Sequence, residues 1–593
     1  MVDDKISEEL NAIGSEQIHQ RLQTAFQNGS VSFVTELLAI EDMLPYLDKI
    51  FIASVSDFLN SQSLNLLQIT AEAISSGQDV FRIAHTLVQI FPNLNQVDPI
   101  SLLDFLKIYD EKTKNDLMSG QLFEPIRKRT ATNKDWGLNL ENVIFENNDK
   151  RFYSYLLATY LGFSDSDYNF GYDKIKSAYT STVCELKAIG LRGIGLLSKL
   201  SDEHKAESFE SLILGVDDKN EAVASNAAFA LSRLYSENAE LSKKRIALSK
   251  DADSSVRFEL LRQIQFKQGE LDSDDIEIVK NLCAYDLKLK GITDSLDSII
   301  YFLLHKGYHN IAKEILTAWV SSHTFEVHKQ YNFTELFDSS IFEMVKSKNL
   351  IENIITEWLN SDDFRFHHVL QEIASYMGGH GIKTVGLDLE YLKSLNDTDI
   401  LYVVRKILGF VYDFDISISL VISMLRLDPP SKKTVGLVTS VLIEHIGDNY
   451  LGKTLDRIDL ELKASQEGTE KFMALSRAAG ELKKRKDRRS ALTNCIELMP
   501  NADHSSELNK AFNKSMAASM KQAREKSMLF KLVSHVAIRE ARSTFSFANG
   551  EYHEPSKMGS YSHGIELPKK DVLDEVGATF ERSGFRLAKR GEE

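Results

Sequence analysis

Two stretches near the middle of the chain repeat each other at a spacing of 33 residues, and no other feature restricts the fold as strongly. Ser211–Leu234 reads SLILGVDDKNEAVASNAAFALSRL, and Arg245–Ile264 reads RIALSKDADSSVRFELLRQI. Asp218 precedes Val223 by five residues, and Asp251 precedes Val256 by the same five. After each valine runs a segment without Gly or Pro, so each unit reads as a helix, a tight acidic turn and a second helix. Such a helix pair cannot bury its apolar face alone and has to stack on neighbours.

The rest of the chain permits that arrangement to extend. Only 9 prolines occur in 593 residues, and none lies between Pro125 and Pro429, which predicts helix after helix joined by short turns. This length exceeds one compact core and implies roughly three to five domains or one long array. No run reaches the roughly 18 apolar residues of a membrane span. The N-terminus, MVDDKISEELNAIG, is acidic and amphipathic rather than secretory. Cys184, Cys283 and Cys495 are far apart and form no C-x-x-C pair, which predicts a reduced, cytoplasmic setting.

Residues 1–130 read as an N-terminal helical region, with Leu44, Leu47, Ile50, Phe51, Val55 and Phe58 at helical intervals and breaks at Gly29-Ser30, Ser75-Ser76-Gly77 and Phe91-Pro92-Asn93. The polar, Asn-rich stretch from Thr130 to Lys150 reads as a linker, and 131–180 as linker plus connecting helix. Residues 181–304 hold the repeats and 305–470 continue the helical array. Residues 471–545 read as basic helices. Residues 546–593 read as a loop-rich tail, with one short helix over Lys569–Arg582 ended by Gly584.

The repeat region resembles the HEAT-repeat family. That family places a valine, usually followed by arginine, just after an acidic turn and ahead of a second helix rich in small residues. Val256-Arg257 fits the pattern. Val223 is followed by Ala224 instead, while Ala227, Ala228, Ala230 and Leu231 supply the small face, and Ala188–Leu200 looks like a degenerate earlier copy with Leu191-Arg192. The resemblance implies an all-α fold, a HEAT-like α-solenoid flanked by an N-terminal helical bundle and a basic C-terminal helical segment with a loop-rich tail. It also implies that the arginine pairs with the acidic turn of the next repeat. Gly190, Gly193 and Gly195 are spaced unlike a dinucleotide fingerprint and serve close helix packing.

The net charge of −16 is unevenly placed. Lys471–Glu593 carries 23 basic against 16 acidic residues, and the preceding 470 carry 47 against 70. Such a split implies an acidic partner for the C-terminal part or a contact with the chain's own body. Lys483, Lys484, Arg485, Lys486, Arg488 and Arg489, with Lys521, Arg524, Lys526, Lys531, Arg539 and Arg542 further on, are candidate phosphate contacts, and Phe545, Phe547 and Tyr552 are candidate stacking residues for bases. The repeats themselves, with 16 basic and 21 acidic residues over 181–300, are not a nucleic-acid surface.

Signals for chemistry are sparse. His367-His368 would pair with Asp363 and Glu372 four residues away rather than hold a metal, because adjacent histidines diverge on a helix. Asp448 with Glu461-x-Lys463 is similar to a metal-binding nuclease arrangement, but Leu451, Leu455, Ile458 and Leu462 trace a helical stripe through it. There is no phosphate-binding G-x-x-x-x-G-K-[ST] loop and no G-x-S-x-G elbow. The sequence therefore leads to a non-enzymatic scaffold without metal or cofactor. It would hold a partner protein near Asp217, Asn220, Asp251 and Arg257, for instance within a bacterial multi-protein system acting on DNA or against phage. The alternatives are a nucleic-acid-binding subunit and a cryptic metal-dependent nuclease.

Overall fold

Short polar residues start most of the helices. Asn65, Asp79, Asn133, Asp167, Asn220, Asn238, Asp272, Asp413 and Thr469 each accept a backbone N–H from the first turn of the helix that follows. The computed structural model describes residues 15–43, 49–113, 120–285, 287, 291–492, isolated positions between 506 and 521, 536–540, 543–548, 551–557, 566 and 568–591. Among these the fold is all-α apart from three antiparallel strands, Val536–Glu540, Ser543–Ala548 and Glu551–Lys557, adjacent in sequence order.

The chain divides into two units, residues 1–324 with 335–343, and residues 325–334 with 344–593. The boundary thus falls inside the stretch expected to continue the array, and no boundary follows residue 130. The segment expected to be a linker is instead the packed helix Lys134–Asn147, followed by Tyr153–Ser166. Trp136, Leu140 and Ile144, four residues apart, are buried while the asparagines face out, so polarity masked a helical stripe. Trp136 Nε1 donates to Val97 O at 2.7 Å, and the Arg129 guanidinium lies over the Trp136 ring at 5.2 Å.

In the first unit, successive second helices pack on one another: Cys184–Leu196 on Glu221–Leu234, that on Ser254–Gln265, and that on Ile292–His305. The first helices form a matching row through Asp202–Gly215, Ala239–Asp251, Ser273–Leu282 and His309–Ser322. Small residues permit the approach. A Cβ on Gly190 would sit 2.3 Å from the Tyr179 nitrogen, and one on Gly195 would sit 2.6 Å from Ala230 Cα. Across the first-helix row, Arg245 and Asp275 form a fully buried ion pair at 2.6 Å. Lys267 also bonds Asp275, and the Arg245 guanidinium lies 4.3 Å from the Tyr235 ring centroid.

The second unit holds Phe364–Gly379, Asp397–Phe410, Phe414–Ser423, a π-helical turn at Val441–Ile446, Leu451–Lys463 and the basic helix Glu470–Ser490. The described positions between 506 and 521 are helical, and from Val536 the small sheet stands where a basic helix was expected, with Phe547 opposite Tyr552. Where one short helix was expected over Lys569–Arg582, two are found, Lys569–Leu573 and Glu575–Leu587. Asp574 breaks the expected single helix by capping the second, which runs through Gly584 because nothing there requires a turn.

Gly190 and Gly480 separate packing from propensity. Gly190→Ala forces backbone apart and should cost about 1–3 kcal/mol. Gly480→Ala, in an exposed stretch of Glu470–Ser490 with open space around it, should instead gain about 0.5–1 kcal/mol. Urea denaturation of the two variants beside the parent checks the opposite signs.

Candidate functional site

The acidic turns of the repeats are occupied by the fold. Lys187 bonds Asp218 at 2.6 Å and holds its carboxyl below the usual range, and Lys244 bonds Asp217 at 2.6 Å. Asn220 accepts from the Ala222 and Val223 nitrogens. Arg257 does not pair with an acidic turn: its guanidinium donates to the Ala284 carbonyl, which needs a cap more than the turn needs a cation. Asp251 ends its helix and is exposed. Of these four sequence candidates, Asp217 and Arg257 are thus engaged with a neighbouring helix pair, and Asn220 caps its own helix.

A different surface emerges along the second-helix row. Arg192 donates to Asn226 Oδ1 at 3.1 Å and lies over the Phe229 ring at 3.9 Å, with Arg233 over the same ring at 5.7 Å. On the next helix Arg262 stands 3.6 Å from Glu259 and over the ring of the exposed Phe266. Three guanidiniums, two aromatic rings and one carboxylate therefore share one strip, in which Phe229 and Glu259 are buried, Arg192 and Arg262 are half-buried, and Arg233 and Phe266 are exposed. A sequence signal for it exists: Phe229 and Arg262 are 33 residues apart, as are Arg233 and Phe266, so the repeats exchange arginine and phenylalanine at the same two positions.

The basic cluster is partly consumed internally. Arg485 donates to Ile443 O, and Arg489 bonds Asp448 at 2.8 Å. Lys483 faces Asp459 at 3.7 Å and Lys484 bonds Glu481 at 2.8 Å, both at the surface, whereas Lys486 and Arg488 are exposed. Lys521 occupies an exposed helical position, Arg539 lies in the first strand, and Arg524, Lys526, Lys531 and Arg542 lie outside the described residues.

The histidine and nuclease arrangements do not assemble as chemical sites. Asp363 caps its helix and binds Arg365 instead of His367. His367 is buried with Nε2 toward Leu359 O, and burial together with nearby Lys406 lowers its pKa to about 4. His368 keeps its contact with Glu372 at 3.7 Å. Glu461 sits on the helix Leu451–Lys463; burial would raise its carboxyl, but bonds from Lys471 and Arg457 hold it below the usual range. Among the described residues no three His, Cys, Asp or Glu side chains converge as metal ligands.

Sequence reasoning missed the seat of the C-terminal helix. Glu575–Leu587 packs on Asp397–Phe410. Arg586 donates to Gly409 O at 2.8 Å and lies over Phe410 and Tyr412. Arg590 bonds Asp362 and Asp399 and lies over Tyr402. Lys406, itself buried, donates to the carbonyls of Arg586 and Ala588 at 2.6 and 2.9 Å, capping the negative end of the helix. Beside this contact lies a cavity of about 300 Å³ with an apolar floor that includes Leu408, Val411, Phe414 and Phe585. Glu581 on its wall accepts from His445 at 2.8 Å and Lys570 at 2.9 Å; burial pushes its carboxyl up, but Lys570 and the hydrogen bond from His445 hold it down.

Two tests follow from these contacts. Because His367 is held neutral, the unfolded chain takes up a proton below about pH 6.5 that the folded chain resists until about pH 4. Its contribution is complete above the unfolded value and fades as pH falls, by about 2 kcal/mol at pH 5. Urea midpoints at pH 7.5 and pH 5 should show this slope, and His367→Leu should flatten it. Lys406→Met keeps the aliphatic bulk but removes the cap, so amide exchange across Glu575–Leu587 should accelerate about tenfold to a hundredfold by hydrogen–deuterium exchange.

Comparison with protein-family models and with curated proteins finds no match to this chain.

Proposed function

We propose that the protein is a helical-repeat scaffold without catalytic activity, whose residues 181–304 form a HEAT-like α-solenoid that holds a partner protein. The observation that carries this reading is the strip on consecutive second helices where Arg233 and Phe266 are exposed, beside the half-buried Arg192 and Arg262, with the buried Phe229 ring as the platform under Arg192 and Arg233. Arginine and large aromatic side chains dominate binding energy at protein interfaces, since each buries much area while offering few rotamers or a rigid donor fork. Stacked helices add one such element per repeat, so the surface reads an extended partner rather than a small molecule. An excess of guanidinium over carboxylate favours a partner segment that carries aspartate or glutamate. The Asp217 and Arg257 positions serve this function indirectly, by tying neighbouring helix pairs, and Asn220 by capping its own helix.

Affinity capture from native lysate, with and without nuclease treatment, tests the proposal. A partner should be retained after nuclease and should fall at least about tenfold with the double substitution Arg233→Glu and Phe266→Ser, both at exposed positions. Loss of all association on nuclease treatment would favour the nucleic-acid reading through Lys483–Arg489 instead. Magnesium-dependent cleavage lost in Glu461→Ala would favour the nuclease.

A further inference from the structure

The helix Glu575–Leu587 has two apolar sides, and only one is used. Ala578 and Phe585 face the body, whereas Val576, Phe580 and Leu587 are 81%, 82% and 72% exposed, with Leu573 just before them at 71%. Val576, Phe580, Ser583 and Leu587 follow one another at intervals of four, three and four residues, the spacing of a coiled-coil seam. The four exposed apolar side chains present roughly 600 Å² per chain, at the upper end of the patches a monomer displays.

We propose that this face binds the same face of a second copy of the chain, the two helices running antiparallel. The pattern is self-complementary only in that direction. A two-fold axis midway between Phe580 and Ser583 sets Val576 against Leu587 of the second copy. The same axis sets the Phe580 ring against Ser583, where the neighbouring Gly584 has open space around it. It also sets Asp574 against Lys589, pairing an acidic helix start with a basic helix end. In a parallel pair the two Phe580 rings would collide, the Ser583 and Gly584 gaps would face each other, and like charges would align. Even complete burial of both faces would remove at most roughly 1,200 Å², the bottom of the range for a specific interface, so the association is reversible rather than obligate. The opposite side of the same helix stays on its own body through Arg586 and Lys406, which presents the seam rigidly.

Sedimentation of the full chain at about 100 µM tests this, and a dimer is expected. Phe580→Asp should return it to monomer while leaving the helical circular dichroism unchanged, since the side chain is exposed among the described residues. Direction is read by cross-linking in a background with Cys184, Cys283 and Cys495 replaced by serine. Val576→Cys mixed with Leu587→Cys should form a disulfide between the two variants under mild oxidation, and neither variant alone should do so. A monomeric parent chain, a dimer indifferent to Phe580→Asp, or cross-linking of Val576→Cys to itself would each overturn the proposal.

Discussion

Where Gly195 meets Ala230 and Gly190 meets the backbone of Tyr179, helices approach so closely that one added methyl group has no room. The first contact joins successive second helices, and the second joins Cys184–Leu196 to Tyr168–Tyr179 just before it. Each helix pair has an apolar face wider than its own partner can cover, and small residues let the next pair complete the burial with backbone close to backbone. Charged residues then act as spacers and ties between pairs. Lys187 with Asp218 and Lys244 with Asp217 do so at the surface, and Arg245 with Asp275 does so in the interior.

The second unit shows how the positive C-terminal part of the chain is balanced. Arg485, Arg489, Arg586 and Arg590 all end on carbonyls or carboxylates of the body, so a good share of the apparent charge is spent on the fold. Lys406 reverses the roles: a body lysine, buried beneath the C-terminal helix, supplies the cation that the helix end requires. These contacts favour a structural use for much of the basic residue content, leaving Lys486 and Arg488 as the exposed remainder of the cluster.

Periodicity and turn chemistry made the helical fold legible. The 33-residue unit, the proline-free stretch and the breaks at Gly29, Gly77 and Phe91-Pro92-Asn93 all correspond to observed helix ends. What sequence reasoning could not weigh was competition for the same residue. Trp136, Leu140 and Ile144 were outvoted by their polar neighbours, although the burial of three side chains decides a helix regardless of composition. Arg257 suited a pairing with an acidic turn, yet a carbonyl at Ala284 lay nearer. The seat of Glu575–Leu587 depends on contacts between residues nearly 180 positions apart, which no local pattern encodes. The strip through Phe229 and Arg262 was readable in principle, but only by comparing the two repeats position by position.

Arrays of stacked units ordinarily open from their ends, one unit at a time, because each touches only its neighbours. The fully buried ion pair of Arg245 and Asp275, with Lys267 half-buried beside it and Tyr235 and Asp272 toward solvent, resists such opening in the first unit, since separating the helices it ties would strand two charges. Parting Ala239–Asp251 from Ser273–Leu282 therefore costs more than parting helices held by apolar side chains alone, and the buried pair acts as a clamp between them.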